Sequence, residues 1–233
     1  MFFLDPRYLL FMAPAFILMM VVQWYVKSAY NKWSKVPARS RISGAEAARR
    51  IIQNNGLYGV QVEGTQGRLT DHYDPRQKVL RLSQGVYQGQ SVAALAIAAH
   101  ELGHAMQDKD EYFPLRLRAA LVPAVNIGST LGWILILLGM LLQFTSLALL
   151  GVVVFSGGAL FALATLPVEL NASARAKRML TDTGLIISEE ERQGVNRVLN
   201  AAALTYVAAL ITAVLQLLYF ASLVLGMGGR RRN

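Results

Sequence analysis

Three long stretches without a charged residue constrain this chain more than any other feature of its sequence. Residues 8–26, 119–168 and 198–229 contain no Asp, Glu, Lys or Arg. One helix crosses the hydrocarbon core of a bilayer with about 20 apolar residues, so the outer stretches each predict one crossing and the middle stretch predicts two. The hydrophobic content of 54% is also high for a soluble protein. The sequence therefore predicts a mainly α-helical, polytopic membrane protein with about four transmembrane helices.

The distribution of positive charge predicts the topology. The segment after the first apolar stretch is rich in cations, which places it in the cytoplasm: Lys27, Lys32, Lys35, Arg39 and Arg41. Four crossings then put both termini outside, although three arginines at 230–232 favour the inside. Topology and contact with the lipid bilayer account for the net charge of +9. No nucleic-acid-binding motif accompanies that charge, so nucleic acid is not an expected partner.

The apolar stretches divide the chain into five predicted segments. A short segment at 143–146 with three polar residues interrupts the middle stretch and predicts a helical hairpin with helices at 119–142 and 147–168. The first stretch lacks a following cleavage site and is interpreted as an anchor. The predicted segments are an N-terminal transmembrane anchor at 1–26, a cytoplasmic domain at 27–118, the transmembrane hairpin at 119–168, a cytoplasmic helical segment at 169–197, and a C-terminal transmembrane helix with a basic tail at 198–233.

Local signals predict helices and a small β element in the larger cytoplasmic segment. Ser43 with Glu46 forms a capping-box pattern for a helix that ends near Gln53. Ser91 is placed to cap a longer helix at 92–107. Two short apolar runs at 60–62 and 79–82 flank a connection rich in Gly and Asp, which predicts two strands. The strand at 79–82 is a candidate edge for an extended substrate.

The longer helix carries an H-E-x-x-H motif formed by His100, Glu101 and His104. Residues four apart lie on one helical face, so both imidazoles can reach one Zn²⁺ ion. Glu101, next to His100, is then placed to act as the general base on the attacking water. The alternative is a chance match of two histidines on a helix. The uncharged residues around the motif and the absence of cysteine both favour a metal site built from His and carboxylate ligands.

A catalytic zinc site with two histidines needs a third ligand, and Glu169 is the candidate. It is the first charge after fifty uncharged residues, and an ionisable group at the bilayer edge is costly without a partner. Two crossings separate it from His104, which restores the same side of the membrane. The alternative is that Glu169 forms an ordinary ion pair with Arg175 or Lys177. Three other acids, Asp108, Asp110 and Glu111, follow the motif closely and resemble a solvated charge run.

His72 is the remaining histidine, and its role is open at the level of sequence. It lies in a turn with Asp71, Tyr73, Asp74 and Pro75 that could simply connect two strands. Its position upstream of the zinc helix equally suits a hydrogen-bond donor to the oxyanion. We consider a role as a metal ligand the weaker interpretation.

Taken together, these motifs resemble those of the YugP-like family of bacterial membrane neutral zinc metallopeptidases. The matching segments are Asp5 and Pro6, the turn at 71–75, the zinc helix at 99–107, and residues 167–173. The plan is similar to heat-shock membrane metalloproteases and prenyl-protein proteases, in which a Glu begins a later E-x-x-x-D helix as the third ligand. That resemblance implies Glu169 as the ligand. Ser173 replaces the expected Asp, so Asn171, Ser173 or another group must orient a ligating histidine.

The resulting hypothesis is a gluzincin-like zinc metalloendopeptidase with a cytoplasmic, zincin-like domain in a multi-pass protein of the bacterial inner membrane. Its expected substrates are peptides or membrane proteins cut near the cytoplasmic face. Two rivals are an intramembrane site-2-type protease and a non-catalytic metal-containing scaffold or regulator. The first predicts an Asp ligand within an apolar stretch, which is absent. The second does not require Glu101, because a structural zinc needs no general base.

Overall fold

The computed structural model describes residues 6–229, which are mainly helical. Asp5 and the arginines at 230–232 lie outside the described residues. The elements within the described range are, in chain order, α1 Pro6–Trp33, α2 Gly44–Asn54, β1 Gln61–Thr65, β2 His72–Asp74, β3 Val79–Ser83, α3 Gln84–Tyr87, α4 Val92–Lys109, α5 Phe113–Leu141, α6 Thr145–Phe155, α7 Gly157–Asp182 and α8 Glu189–Gly229.

Four helical stretches are long and apolar enough to cross a membrane: α1, α5, α6 with α7, and α8. This confirms the predicted number of candidate membrane-spanning helices. The helices extend beyond the ends of the uncharged stretches, because charged residues such as Glu, Lys and Arg also favour helix. Helix α5 begins at Phe113, α8 begins at Glu189, and α7 continues to Asp182. Glu169 therefore lies inside a helix, and the predicted helix at 147–168 is instead divided at Ser156.

Close helix contacts organise one compact unit, which contains Arg116–Leu166 and the terminal segments that end at Val22 and begin at Thr205. A Cβ added to Gly132 of α5 would lie 2.9 Å from the carbonyl oxygen of Gly151 on α6. Glycine at both positions lets the two backbones approach, as is common between membrane helices. In the same unit, Tyr219 of α8 packs edge-on against Tyr8 of α1, with ring centroids 5.3 Å apart.

The second compact unit contains Gln23–Leu115 and Pro167–Leu204 and has its own hydrophobic core. Its helix starts follow the sequence signals. Ser43 and Glu46 form the predicted capping box of α2, and the Ser91 hydroxyl accepts a hydrogen bond from the Ala94 amide at the start of α4. Such caps satisfy backbone N–H groups that have no partner within the helix. They therefore hold α4, and the motif on it, at a defined starting point.

The β element of this unit contains three strands instead of the predicted two. Strand β3 lies in the centre, parallel to β1 and antiparallel to β2. The expectation that the strand at 79–82 offers an edge to substrate is therefore wrong, because neighbours occupy both sides of β3. The third strand, β2, comes from the segment that the sequence pattern assigned to a turn. Its three residues are too few for a period-two pattern to show.

Candidate metal centre

Helix α4 places His100 and His104 one turn apart on the same face. Their rings are 5.0 Å apart between centroids and nearly perpendicular, at 83°. The face opposite is buried through small residues, among them Ala98, Ala99 and Ala105. The helix therefore packs tightly on one side while both imidazoles project from it, as the i, i+4 spacing predicts.

Glu169 of α7 meets both imidazoles. Its side chain is 2% exposed, and its Oε2 lies 3.3 Å from Nε2 of His100 and 3.5 Å from Nε2 of His104. One ligand atom from each of the three residues falls within 4.8 Å of the others. The structure thus brings together the three residues that were predicted as ligands from sequence.

The two cations proposed as alternative partners of Glu169 have other contacts. Arg175 binds the carboxylate of Asp110 and donates from Nε to Asn171 Oδ1 at 2.7 Å. Lys177 donates from Nζ to Asn200 Oδ1 at 3.1 Å. Glu169 therefore faces the H-E-x-x-H motif. The alternative in which it pairs with Arg175 or Lys177 gains no support.

The remaining ring nitrogens of both histidines have hydrogen-bond partners. His104 Nδ1 lies 3.0 Å from Gln107 Oε1, and His100 Nδ1 lies 3.2 Å from Ser173 Oγ. A proton on each Nδ1 leaves the Nε2 lone pairs directed towards Glu169. Two imidazole nitrogens and one carboxylate oxygen form a donor set that zinc prefers. The convergence of these atoms and the partnered Nδ1 positions therefore fit a zinc ion.

Gln107 is a positioning residue that the sequence analysis did not identify. It is fully buried, and its Nε2 donates to the Val168 carbonyl at 2.7 Å and to Asn171 Oδ1 at 3.0 Å. With both amide hydrogens engaged by α7, its Oε1 is left to accept from His104. Ser173 supplies the corresponding contact to His100, as the resemblance allowed. Gln107 stands three residues after His104, and this spacing on one helical face was the available sequence signal.

Glu101 lies beside the three convergent side chains but is not one of them. Its side chain is partly exposed, on the same helix as both histidines. Loss of hydration raises the pKa of its carboxyl above the usual value, while His100 and His104 oppose that shift. These electrostatic interactions, together with that of Glu169, place the Glu101 carboxyl close to the three convergent side chains.

His72 lies outside the cluster of three ligands. It is an exposed residue of β2, and its Nδ1 is 2.8 Å from the Thr70 carbonyl oxygen. The neighbouring Tyr73 contacts the zinc helix instead, where its hydroxyl donates to Asp108 at 3.0 Å. Because a neutral His72 that donates from Nδ1 has only a lone pair on Nε2, donation to an oxyanion would require the doubly protonated ring. Its role as an oxyanion donor stays a prediction.

Gly103 permits the close approach of α4 and α7. A Cβ at this position would lie 2.4 Å from the carbonyl oxygen of Ala172, a backbone atom that side-chain rotation cannot move. The glycine lies between the two histidines, and Ala172 lies between Glu169 and Ser173. The same contact therefore sets the distance between the two halves of the metal centre.

Replacing Gly103 with Ala is expected to destabilise the protein by about 1–3 kcal/mol, as overpacking typically does, and to lower its zinc content. Thermal unfolding and metal analysis of one preparation measure both effects. Gly158→Ala is the control, because an added Cβ at this helical glycine meets no atom within 4 Å. Equal zinc content and equal unfolding temperatures in the two variants would show that the close contact is not required.

Comparison with known proteins agrees with this geometry. Residues 8–225 match the model of a family described as "Putative neutral zinc metallopeptidase". The chain is 50% identical over 211 residues to the "Putative membrane protease YugP" of Bacillus subtilis (strain 168), and the match covers 91% of this chain and 92% of that protein. No solved structure matches the chain. The resemblance inferred from the motifs is thereby confirmed, and the chain belongs to this family of neutral zinc metallopeptidases.

Proposed function

We propose that this protein is a zinc-dependent endopeptidase that hydrolyses peptide bonds of peptides or membrane proteins near the cytoplasmic face of the bacterial inner membrane. The convergence of His100, His104 and Glu169 beside Glu101 carries this proposal. Family membership supports the reaction class, and the four apolar helices support the membrane location.

His100, His104 and Glu169 would hold the zinc ion. When bound by such ligands, zinc polarises a peptide carbonyl and lowers the pKa of water to roughly 7. Glu101 takes a proton from the attacking water as the water oxygen forms a bond to the carbonyl carbon of the peptide. The same carboxyl then returns the proton to the amide nitrogen as the C–N bond breaks. Gln107 Oε1 can only accept, so it keeps the proton of His104 on Nδ1, and Ser173 Oγ accepts from Nδ1 of His100 and holds that ring in orientation.

Substrate trapping tests the reaction class directly. The Glu101→Gln protein, expressed in cells that lack the wild type, should retain proteins that the wild type cleaves. Mass spectrometry of the retained proteins, followed by incubation with purified wild type, gives the measurement. The proposal requires at least one retained protein to be cut at an internal peptide bond. Cleavage of none of them by zinc-loaded wild type would favour a non-catalytic scaffold.

The cytoplasmic orientation can be tested by cysteine labelling, because the wild type contains no cysteine. Gln84 is an exposed residue of the segment that the positive charges place inside, and Gln143 is exposed between α5 and α6. We expect Gln84→Cys to react with a membrane-impermeant maleimide only after permeabilisation. Gln143→Cys should react in intact spheroplasts and serves as the control. The reverse pattern would invert the proposed topology.

A further inference from the structure

A cavity of about 130 Å³ lies between the end of α7 and the start of α8, both within the second compact unit. Liquid water occupies about 30 Å³ per molecule, so the cavity has room for a phosphate group. Its floor is apolar and buried, formed by Leu180, Ile186 and Val195. Four polar side chains complete the lining: Lys177, Thr181, Arg192 and Asn196. The cavity belongs to neither the metal centre nor its hydrogen-bond network.

The two cations that line this cavity come from different helices, α7 and α8. Among residues 6–229, no ion pair within 4.0 Å joins Lys177 or Arg192 to an acidic side chain. The contact of Lys177 is instead with the neutral amide oxygen of Asn200, at 3.1 Å. Arg175, two residues before Lys177 on α7, shows the contrasting arrangement, since its guanidinium binds Asp110. Two like charges therefore border the same cavity, and neither forms an ion pair in the described part of the chain.

The donors around the cavity suit an oxyanion with several oxygens. Lysine offers three N–H donors and arginine offers five, so one contact with Asn200 leaves most of this capacity unused. The Asn196 amide can add a neutral donor from the same helix as Arg192. Charge-assisted hydrogen bonds to a phosphate are about twice as strong as neutral ones, and the bound anion would remove the repulsion between the cations.

We propose that this cavity binds a phosphate group. Both free phosphate and the headgroup of an anionic phospholipid present that chemistry. Its sequence position is compatible with a headgroup, because Asn196 lies two residues before the uncharged stretch that begins at residue 198. Cations close to a membrane surface attract the headgroups of anionic lipids.

The test uses full-length protein in nanodiscs and follows its thermal unfolding. One arm compares nanodiscs of phosphatidylcholine with nanodiscs that contain increasing phosphatidylglycerol. The other arm adds inorganic phosphate to phosphatidylcholine nanodiscs. We expect saturable stabilisation of the wild type in at least one arm. Lys177→Gln combined with Arg192→Gln should weaken that binding by about tenfold or more, because both charged donors are lost.

Arg178→Gln combined with Arg197→Gln is the matched control. It removes the same charge from two exposed arginines outside the cavity lining and should bind as the wild type does. Response to phosphatidylglycerol alone assigns the site to a lipid, and response to inorganic phosphate assigns it to the soluble anion.

Two results would overturn the proposal. The first is equal weakening in both double variants, which would reduce the effect to general electrostatics. The second is the absence of saturable binding to wild type in either arm. If the cavity double variant does not fold, Arg192→Gln alone replaces it, since this side chain is exposed. A several-fold loss of affinity then supports the site, and unchanged affinity contradicts it.

Discussion

Glu101→Gln is expected to reduce peptidase activity by about 10² to 10⁴-fold while leaving the zinc content close to that of wild type. The substitution preserves the volume of the side chain but removes the proton acceptor that water needs in order to attack an amide. Glu101 is not among the three ligand-bearing residues, so metal binding should persist. The measurement is the cleavage rate of a substrate identified by trapping, with zinc determined on the same preparation.

Glu190→Gln is the control for replacing a carboxylate by an amide at a position away from the metal centre. This exposed carboxyl lies in the first turn of α8, so the same substitution should leave activity unchanged. Thermal unfolding of both variants separates a loss of chemistry from a loss of structure. Full activity in a folded, zinc-loaded Glu101→Gln protein would show that another group accepts the proton.

Glu169→Ala is expected to remove most of the bound zinc, which should be about one ion per chain in the wild type. The carboxylate is buried, and its Oε2 is the point at which the two imidazole Nε2 atoms converge. Altering groups that merely orient ligands typically costs 10–100-fold in metal affinity, so loss of a ligand should cost about 100-fold or more. Metal analysis after dialysis against a weak chelator measures the change.

Glu190→Ala supplies the corresponding control, since it removes an exposed carboxylate. The folded state of Glu169→Ala must be verified in the metal-free form, because apo and holo proteins differ in stability. Wild-type zinc content in a folded Glu169→Ala protein would identify the third ligand as a different residue. Peptidase activity should fall together with zinc content in this variant, whereas Glu101→Gln separates the two.

The features of the fold predicted correctly from sequence were those with local causes. Apolar length alone predicts each crossing, because an unsatisfied backbone group in lipid is costly and a helix satisfies its own. The caps at Ser43 and Ser91 were likewise predictable, since each hydroxyl bonds an amide three residues away. Strand order was not predictable in the same way. The pairing of β1 with β3 joins distant residues, such as Gln61 with Val79, and Val62 is the single apolar side chain of β1.

Sequence by itself determined which atoms are available for a metal: two histidines on one helical face, and a carboxylate returned to the same side by two crossings. Only the tertiary structure decided how those atoms are held. Gly103 sets the approach of α4 to α7, and Gln107 joins His104 to the backbone of α7. Ser173 meets His100 across 73 positions of sequence. Helical periodicity reports the face on which a residue lies, whereas these contacts depend on packing between two helices whose separation is set by a single missing Cβ.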